Sequence, residues 1–483
     1  MQPFVLIRIA ALALTFTLAS CAANPVTGNP NFVTMSESQE IKIGKSEDPK
    51  VRKEYGAYDN EALQQYVNEV GQKLARNSHR PNLAYHFLVV DSPEVNAFAL
   101  PGGYVYITRG ILAYLNSEAE LAAVLGHEIG HVTARHSVQQ ISAATAAQVG
   151  ASILQIFVPQ MSGGLGNTAL NLLGNALLSG YGREHELEAD RLGSEYLART
   201  GYDPQAMVKV VGVLKNQELF DTEIAKQEGR EPRSYHGLFA SHPDNDTRLQ
   251  QVVGEAARFK LATTRTARED FLREIDRLVF ADSPGQGVIR DNTLYHTELG
   301  FAMRFPQGWR VKNQPQNVTA TSLKDDTVID LRAAGLAKGT PAEVLRKFAN
   351  LGFGAEVTPA TINNLPAATT STSIRGKPTR VAVVFLGKIA YAIGAQAEDS
   401  ETMKRYQPEI EASQQSFHAL TDGERALAQP LTVRVISAKA GLTFAELART
   451  SPLGNHAEGY LRVINGLYPS GEPVAGQALK IVQ

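Results

Sequence analysis

The spacing of apolar positions divides the chain into two textures. Up to about residue 280 they recur mostly every three or four residues, which gathers them on one face of a helix. Leu63, Val67, Val70 and Leu74 predict an amphipathic helix over Asp59–Arg76, and Tyr85–Val90 predicts a strand. Leu121, Val124, Leu125 and Ile129 predict a second helix, opened by a capping box in which Ser117 and Glu120 satisfy each other's backbone amides. A third begins near Arg183 and closes at Thr200-Gly201, before a new start at Asp203-Pro204. The polar stretch from Asp221 to Ser234 predicts a loop. Charged residues between Arg265 and Leu278 predict a linking helix before the turn-rich Asp282–Gly287. From about Asp291 the period shortens to two, with strands predicted at Phe301–Phe305, Thr327–Arg332, Thr379–Phe385 and Ile389–Ala395. Helices predicted at Pro341–Asn350 and Ser400–Gln415 flank these strands, which reads as an antiparallel α+β domain without a catalytic cluster.

Length changes this picture little: 483 residues suggest about three domains. A net charge of −2, with 20% charged residues, argues neither for nucleic acid nor for an acidic substrate. The stretch from Ile141 to Gly180 is apolar but interrupted by Pro159, Gly163, Gly164, Gly166 and Gly174, so it does not read as a membrane span. It is too long and too apolar for a solvated loop. Two readings stand: short helices that form a lid or wall over a cleft, or a surface that contacts membrane or client protein.

Chemistry enters at His127-Glu128-Ile129-Gly130-His131. Residues four apart on a helix lie one above the other, so both imidazoles can point at one zinc ion at roughly 2.0–2.1 Å. Glu128 is rotated off that pair, as suits a general base that holds a water rather than the metal. Two histidines and a water leave one protein ligand to find. Glu186 and Asp190 share a helix face; Glu186 is expected as the ligand, and Asp190 as acceptor of a ligand histidine's free ring N–H. Glu184 and Glu188 read as solvated, and His185, about 100° round the helix, as surface. His136, five residues past His131, falls off the ligand face and reads as structural.

Residues 1–20 combine a positive start (the amine and Arg8) with an apolar run through Leu18, and end Leu18-Ala19-Ser20-Cys21, similar to a bacterial lipobox. Cys21 is the sole cysteine, so it has no disulfide partner and is expected to carry lipid; the Cys-free remainder suits an oxidising periplasm. Ala22, rather than Asp, points to the outer membrane.

The pairing of HExGH with ExEAD over Glu186–Asp190 resembles the zinc metallopeptidases that include the CAAX prenyl protease, the HtpX-like heat-shock proteases and the BepA-like periplasmic proteases. The resemblance runs from roughly residue 25 to 255 and includes Val95–Ile107. It implies a strand pair beside the active-site helix, turning at Gly102-Gly103, whose edge strand holds an extended substrate by β-addition. It implies gluzincin chemistry with Glu186 as third ligand and one zinc per chain. Ser241-His242-Pro243 followed by Arg248 also matches, which implies a catalytic or regulatory His242, either a fourth, inhibitory ligand or a donor to the oxyanion. Arg248 by itself reads as a salt-bridging surface residue.

Beyond residue 290 the chain looks like a PsbP-type domain. The last fifty residues resemble a degenerate LysM module, in which Leu442 replaces the usual acidic residue between Gly441 and Thr443. The expected fold is a multidomain α+β protein: a signal peptide over 1–20, then a mainly helical gluzincin-type metallopeptidase domain with a small sheet over 21–262. A linker helix and turn over 263–290, an α+β PsbP-like domain over 291–423 and a LysM-like module over 429–483 follow. The expected function is a lipid-anchored periplasmic zinc metalloendopeptidase at the outer membrane, acting on misfolded or stalled envelope proteins. Its expected partners are polypeptide substrates, the membrane through the lipid anchor, and peptidoglycan, with no nucleic acid. The alternatives are a chaperone-like client-binding factor with a latent protease, and a cell-wall-binding adaptor.

Overall fold

The computed structural model describes residues 21–28, 30–145, 181–228, 245–259, 262–314, 316–352 and 354–483. The expected signal peptide, most of the apolar stretch after Ile141, and His242 lie outside the described residues. The chain divides into two compact units, Met1–Leu278 with Thr432–Gln483, and Val279–Leu431.

The first unit begins with a short antiparallel pair, β1 (Cys21–Ala23) and β2 (Pro30–Phe32), and the helix α1 (Glu37–Tyr55). Helix α2 (Glu61–Arg76) starts at Asn60, whose side chain caps the Leu63 amide, and buries Leu63, Val67, Val70 and Leu74 as its apolar spacing predicts. Strands β3 (His86–Val90), β4 (Ala97–Leu100) and β5 (Tyr104–Thr108) form a small sheet in the order β3-β5-β4. β4 and β5 are antiparallel and joined through Gly102 and Gly103, whose φ angles of 81° and 93° are left-handed and whose added Cβ atoms would strike backbone at 2.7 and 2.4 Å. One side of β4 is therefore a sheet edge among the described residues.

A short helix α3 (Arg109–Tyr114) leads into α4 (Glu118–Thr133), which carries the HExxH motif and is buried along its whole length. Its N-terminus departs from the predicted capping box. Ser117 does accept from the Glu120 amide, but the Glu120 carboxylate reaches past the cap to the Asn116 amide at 2.6 Å. Helices α5 (Arg183–Arg199), α6 (Gln205–Gln227), α7 (Asn245–Arg258) and α8 (Arg268–Glu274) complete this part. The loop predicted from Asp221 is helix as far as Gln227, because Phe220, Ile224 and Ala225 give α6 a buried stripe that outweighs its polar residues; residues 229–234 lie outside the described residues.

The C-terminal segment packs with this unit rather than apart from it. It runs strand Leu431–Ser437, helices Phe444–Ala448 and Ala457–Ile464, and strand Ala478–Val482, with the two strands antiparallel. Fully buried Lys480 donates to the carbonyls of Ala113 (2.7 Å) and Leu115 (2.6 Å) just ahead of α4, and Arg268 bridges the carbonyls of Asn116 and Ala478.

The second unit holds a seven-stranded antiparallel sheet. Its central strands Lys377–Leu386 and Ile389–Ala397 are buried on both faces. Ala382, Val384, Tyr391 and Ile393 meet Ile410 of helix Ser400–Gln415, whereas Val383, Ala390 and Ala392 meet Leu345 of helix Pro341–Phe348. Two-sided burial explains why these strands carry continuous apolar runs, Val381–Leu386 and Ile389–Ile393, in place of the expected alternation.

Candidate metal centre

The centre forms where α4 and α5 cross. Small residues let the two backbones approach: a Cβ on Gly126 would lie 3.3 Å from the Gly193 Cα, and one on Gly130 3.0 Å from the Ala189 carbonyl oxygen. That closeness carries Glu186 and Asp190 of α5 to the histidine face of α4. All of the group are buried, with Glu128 and Glu186 at 0% exposure.

His127, His131 and Glu186 present their ligand atoms within 4.8 Å of one another. The two Nε2 atoms are 3.0 Å apart, and Glu186 carboxylate oxygens lie 3.5 Å from that of His127 and 3.4 Å from that of His131. Ligands bound tetrahedrally at roughly 2.0–2.1 Å stand about 3.3–3.4 Å apart, so these atoms outline one face of such a tetrahedron.

Hydrogen bonds on the far side of each ring decide which nitrogen carries the proton. His127 Nδ1 lies 2.8 Å from Asp190 Oδ1, a carboxylate that only accepts, so Nδ1 carries the proton and Nε2 the lone pair. His131 Nδ1 lies 2.9 Å from His136 Nδ1, and His136 Nε2 lies 3.2 Å from Glu188 Oε2. Glu188 fixes the His136 proton on Nε2, so His136 Nδ1 accepts from His131 and leaves the His131 Nε2 lone pair directed inward. Two inward lone pairs 3.0 Å apart beside a carboxylate suit a cation, and the donor set suits zinc.

Three earlier expectations change here. Arg248, expected at the surface, is 3% exposed; its Nε and Nη2 grip the two Asp190 oxygens at 2.8 Å each, and Nη1 lies 3.3 Å from Glu186. Burial works against the Arg248 charge, but Asp190 and Glu186 outweigh it and its pKa rises. Burial likewise pushes the Asp190 carboxyl up, and Arg248 together with His127 brings it below its ordinary value. His136 is fully buried and touches His131 despite its spacing of five. A straight helix would carry it away, but Arg135 takes a left-handed φ of 59° after α4 ends and swings it back. Arg135 is held there by Glu40 (3.0 Å) and the Met35 carbonyl (2.8 Å). Glu188 and His185 are not solvated. Glu188 is half-buried against His136, and His185 stacks on the His136 ring at 4.2 Å, with its pKa lowered to about 4, mainly by burial.

Burial also holds the His131 and His136 pKa values below the ordinary imidazole range, and Tyr181 stacks on His131 at 3.8 Å. Glu184 is exposed as expected. The sequence signal that could have found Arg248 was its place six residues beyond His242. No periodicity pointed to His136.

Residues 61–256 match the family described as peptidase family M48. The chain is 29% identical over 251 residues to the beta-barrel assembly-enhancing protease of Yersinia pestis, covering 51% of this chain and 49% of that one. It is 28% identical over 260 residues to the protein of the same name from Escherichia coli K12, covering 51% and 50%. With the mitochondrial metalloendopeptidase OMA1 of Arabidopsis thaliana it shares 36% identity over 159 residues, covering 33% and 31%. The chain thus spans about half the length of the first two relatives. Among solved structures, cyanobacterial PsbP from Synechocystis aligns at a TM-score of 0.22 and 12% identity, covering 28% of this chain and 95% of that one. The motif helix, the helix of Glu186 and Asp190, and the strand pair beside them all lie within residues 61–256, the stretch that matches peptidase family M48.

Proposed function

We propose that the chain is a zinc metalloendopeptidase of the bacterial cell envelope. The observation that carries this reading is the pair of inward imidazole lone pairs beside Glu186, each ring held from behind, within a family M48 domain. His127, His131 and Glu186 would hold the metal, and Asp190 would keep His127 in the right tautomer. Bound zinc supplies Lewis-acid chemistry and lowers the pKa of water toward about 7. Glu128 follows His127 on the same helix. As general base it takes a proton from the attacking water and returns it to the departing amine. β4 is the last strand of its sheet among the described residues, a position that suits an extended peptide, which would add to the sheet through main-chain hydrogen bonds and bring its scissile bond alongside α4.

Substrate and place follow the relatives by analogy. Two are named beta-barrel assembly-enhancing proteases, which supports misfolded or stalled envelope proteins as substrates. Lipid on Cys21 would anchor the chain to the outer membrane, and His242 would act as an inhibitory ligand or as an oxyanion donor. The PsbP-like and LysM-like regions would serve client or glycan binding. Catalysis is tested with purified protein and a generic unfolded substrate: Glu128→Gln keeps its zinc and loses about 10²–10⁴-fold in turnover. Near-normal cleavage by that variant refutes the mechanism. Cys21→Ser releases the protein from membranes, and a wild-type chain that fractionates as soluble without detergent refutes the anchor.

A further inference from the structure

The two ligand histidines are supported in different ways. Behind His127 stands a carboxylate, Asp190, itself gripped by Arg248. Behind His131 stands a second imidazole, and the carboxylate comes one step later, at Glu188. Glu188 lies near the edge of the site, half-buried, and a second, longer contact of 3.8 Å ties it to Arg191. The HExxH signature does not contain this arm. It exists because Arg135 breaks the helix and because Glu188 sits two residues after Glu186 on α5.

We propose that His136 and Glu188 form a carboxylate–imidazole relay that positions His131 for metal binding. The inference rests on the zinc-site reading and adds two positioning residues to it. The relay works through hydrogen-bond polarity. Glu188 only accepts, so the His136 proton sits on Nε2; His136 Nδ1 then accepts, so the His131 proton sits on Nδ1 and its Nε2 lone pair faces Glu186. Without the acceptor at His136, a buried N–H loses its partner, and the His131 ring is free to rotate or to change tautomer. Partners of this kind typically govern metal affinity by 10–100-fold.

The test measures zinc affinity of the full chain by competition with a chromophoric chelator, using zinc alone as the probe. His136→Ala is expected to weaken zinc binding by about 10–100-fold. His136→Asn sets an amide oxygen near the place of Nδ1 and is expected to stay within about threefold of wild type, because the acceptor survives. Glu188→Ala, at a half-buried position, is expected to weaken binding by about tenfold, the low end of the same range. Wild-type affinity in either His136→Ala or Glu188→Ala overturns the relay. So does an Asn variant no better than Ala, which would reduce His136 to a packing role. If the wild-type chain itself takes up no zinc, the zinc-site reading falls first; if it binds zinc and His136→Ala binds equally well, only the relay falls.

Discussion

Arg248 offers the sharpest test of the electrostatics around the centre. It is 3% exposed, it is the guanidinium that faces Asp190 and Glu186, and Glu128 also acts on its charge. Arg248→Met keeps most of the volume and removes the charge, which leaves Asp190 buried with only the His127 ring proton to accept. Removing one partner of a buried ion pair costs about 3–5 kcal/mol. An independent figure agrees: two unit charges about 4 Å apart at an effective dielectric of 20 attract by about 4 kcal/mol. For a unit of this size that lowers the melting temperature by roughly 6–10 °C, at about 2 °C per kcal/mol. The loss is expected in the zinc-free protein. Added zinc brings two positive charges to the same carboxylates and should recover at least half of it, so the zinc-induced rise in melting temperature is larger in the variant than in wild type. Asp190→Asn with Arg248→Met leaves neither charge stranded and should be more stable than Arg248→Met alone. Thermal melts with chelator and with zinc read all three quantities. A zinc-free Arg248→Met protein melting within about 2 °C of wild type refutes the argument, as does a double variant less stable than the sum of its parts.

Glu186→Ala should lose zinc in metal analysis while keeping its fold by circular dichroism; full occupancy would remove Glu186 from the site. Lys480→Met strands the carbonyls of Ala113 and Leu115, at a cost of roughly 2–4 kcal/mol. Its melting temperature should fall, and hydrogen exchange should quicken together at residues 113–120 and 478–482; exchange unchanged at 113–120 contradicts a pinning role. In the second unit, His296 accepts from the Leu299 amide, and burial lowers its pKa to about 4. Because the folded pKa lies below the unfolded value of about 6.5, stability is complete above pH 6.5 and declines as pH falls toward 4, by at most about 3 kcal/mol. His296→Asn should flatten that decline in denaturant melts, and an unchanged pH profile counts against the assignment.

Much of this protein could be read along one dimension because the signals were local. Helix α2 appears where Leu63, Val67, Val70 and Leu74 share a face, and the sheet strands of the second unit appear where residues alternate or run apolar. His127 and His131 were legible because residues four apart share a helix face, and Glu128 because it falls between them. Glu186 and Asp190 were legible for the same reason, and the structure brings both to the histidines. What escaped were contacts between residues far apart in sequence, or set off by a single dihedral. Arg248 looked like any surface arginine until α7 laid it against Asp190, 58 positions away. His136 looked misplaced until one left-handed residue, Arg135, turned it back toward His131. Glu188 and His185 looked solvated because helical periodicity says which residues share a face, not what covers that face. Lys480, which no local pattern singles out, is buried against carbonyls 365 and 367 positions away. Periodicity encodes elements and local ligand spacing; long-range partners depend on how the chain closes on itself, and no short window of sequence contains that closure.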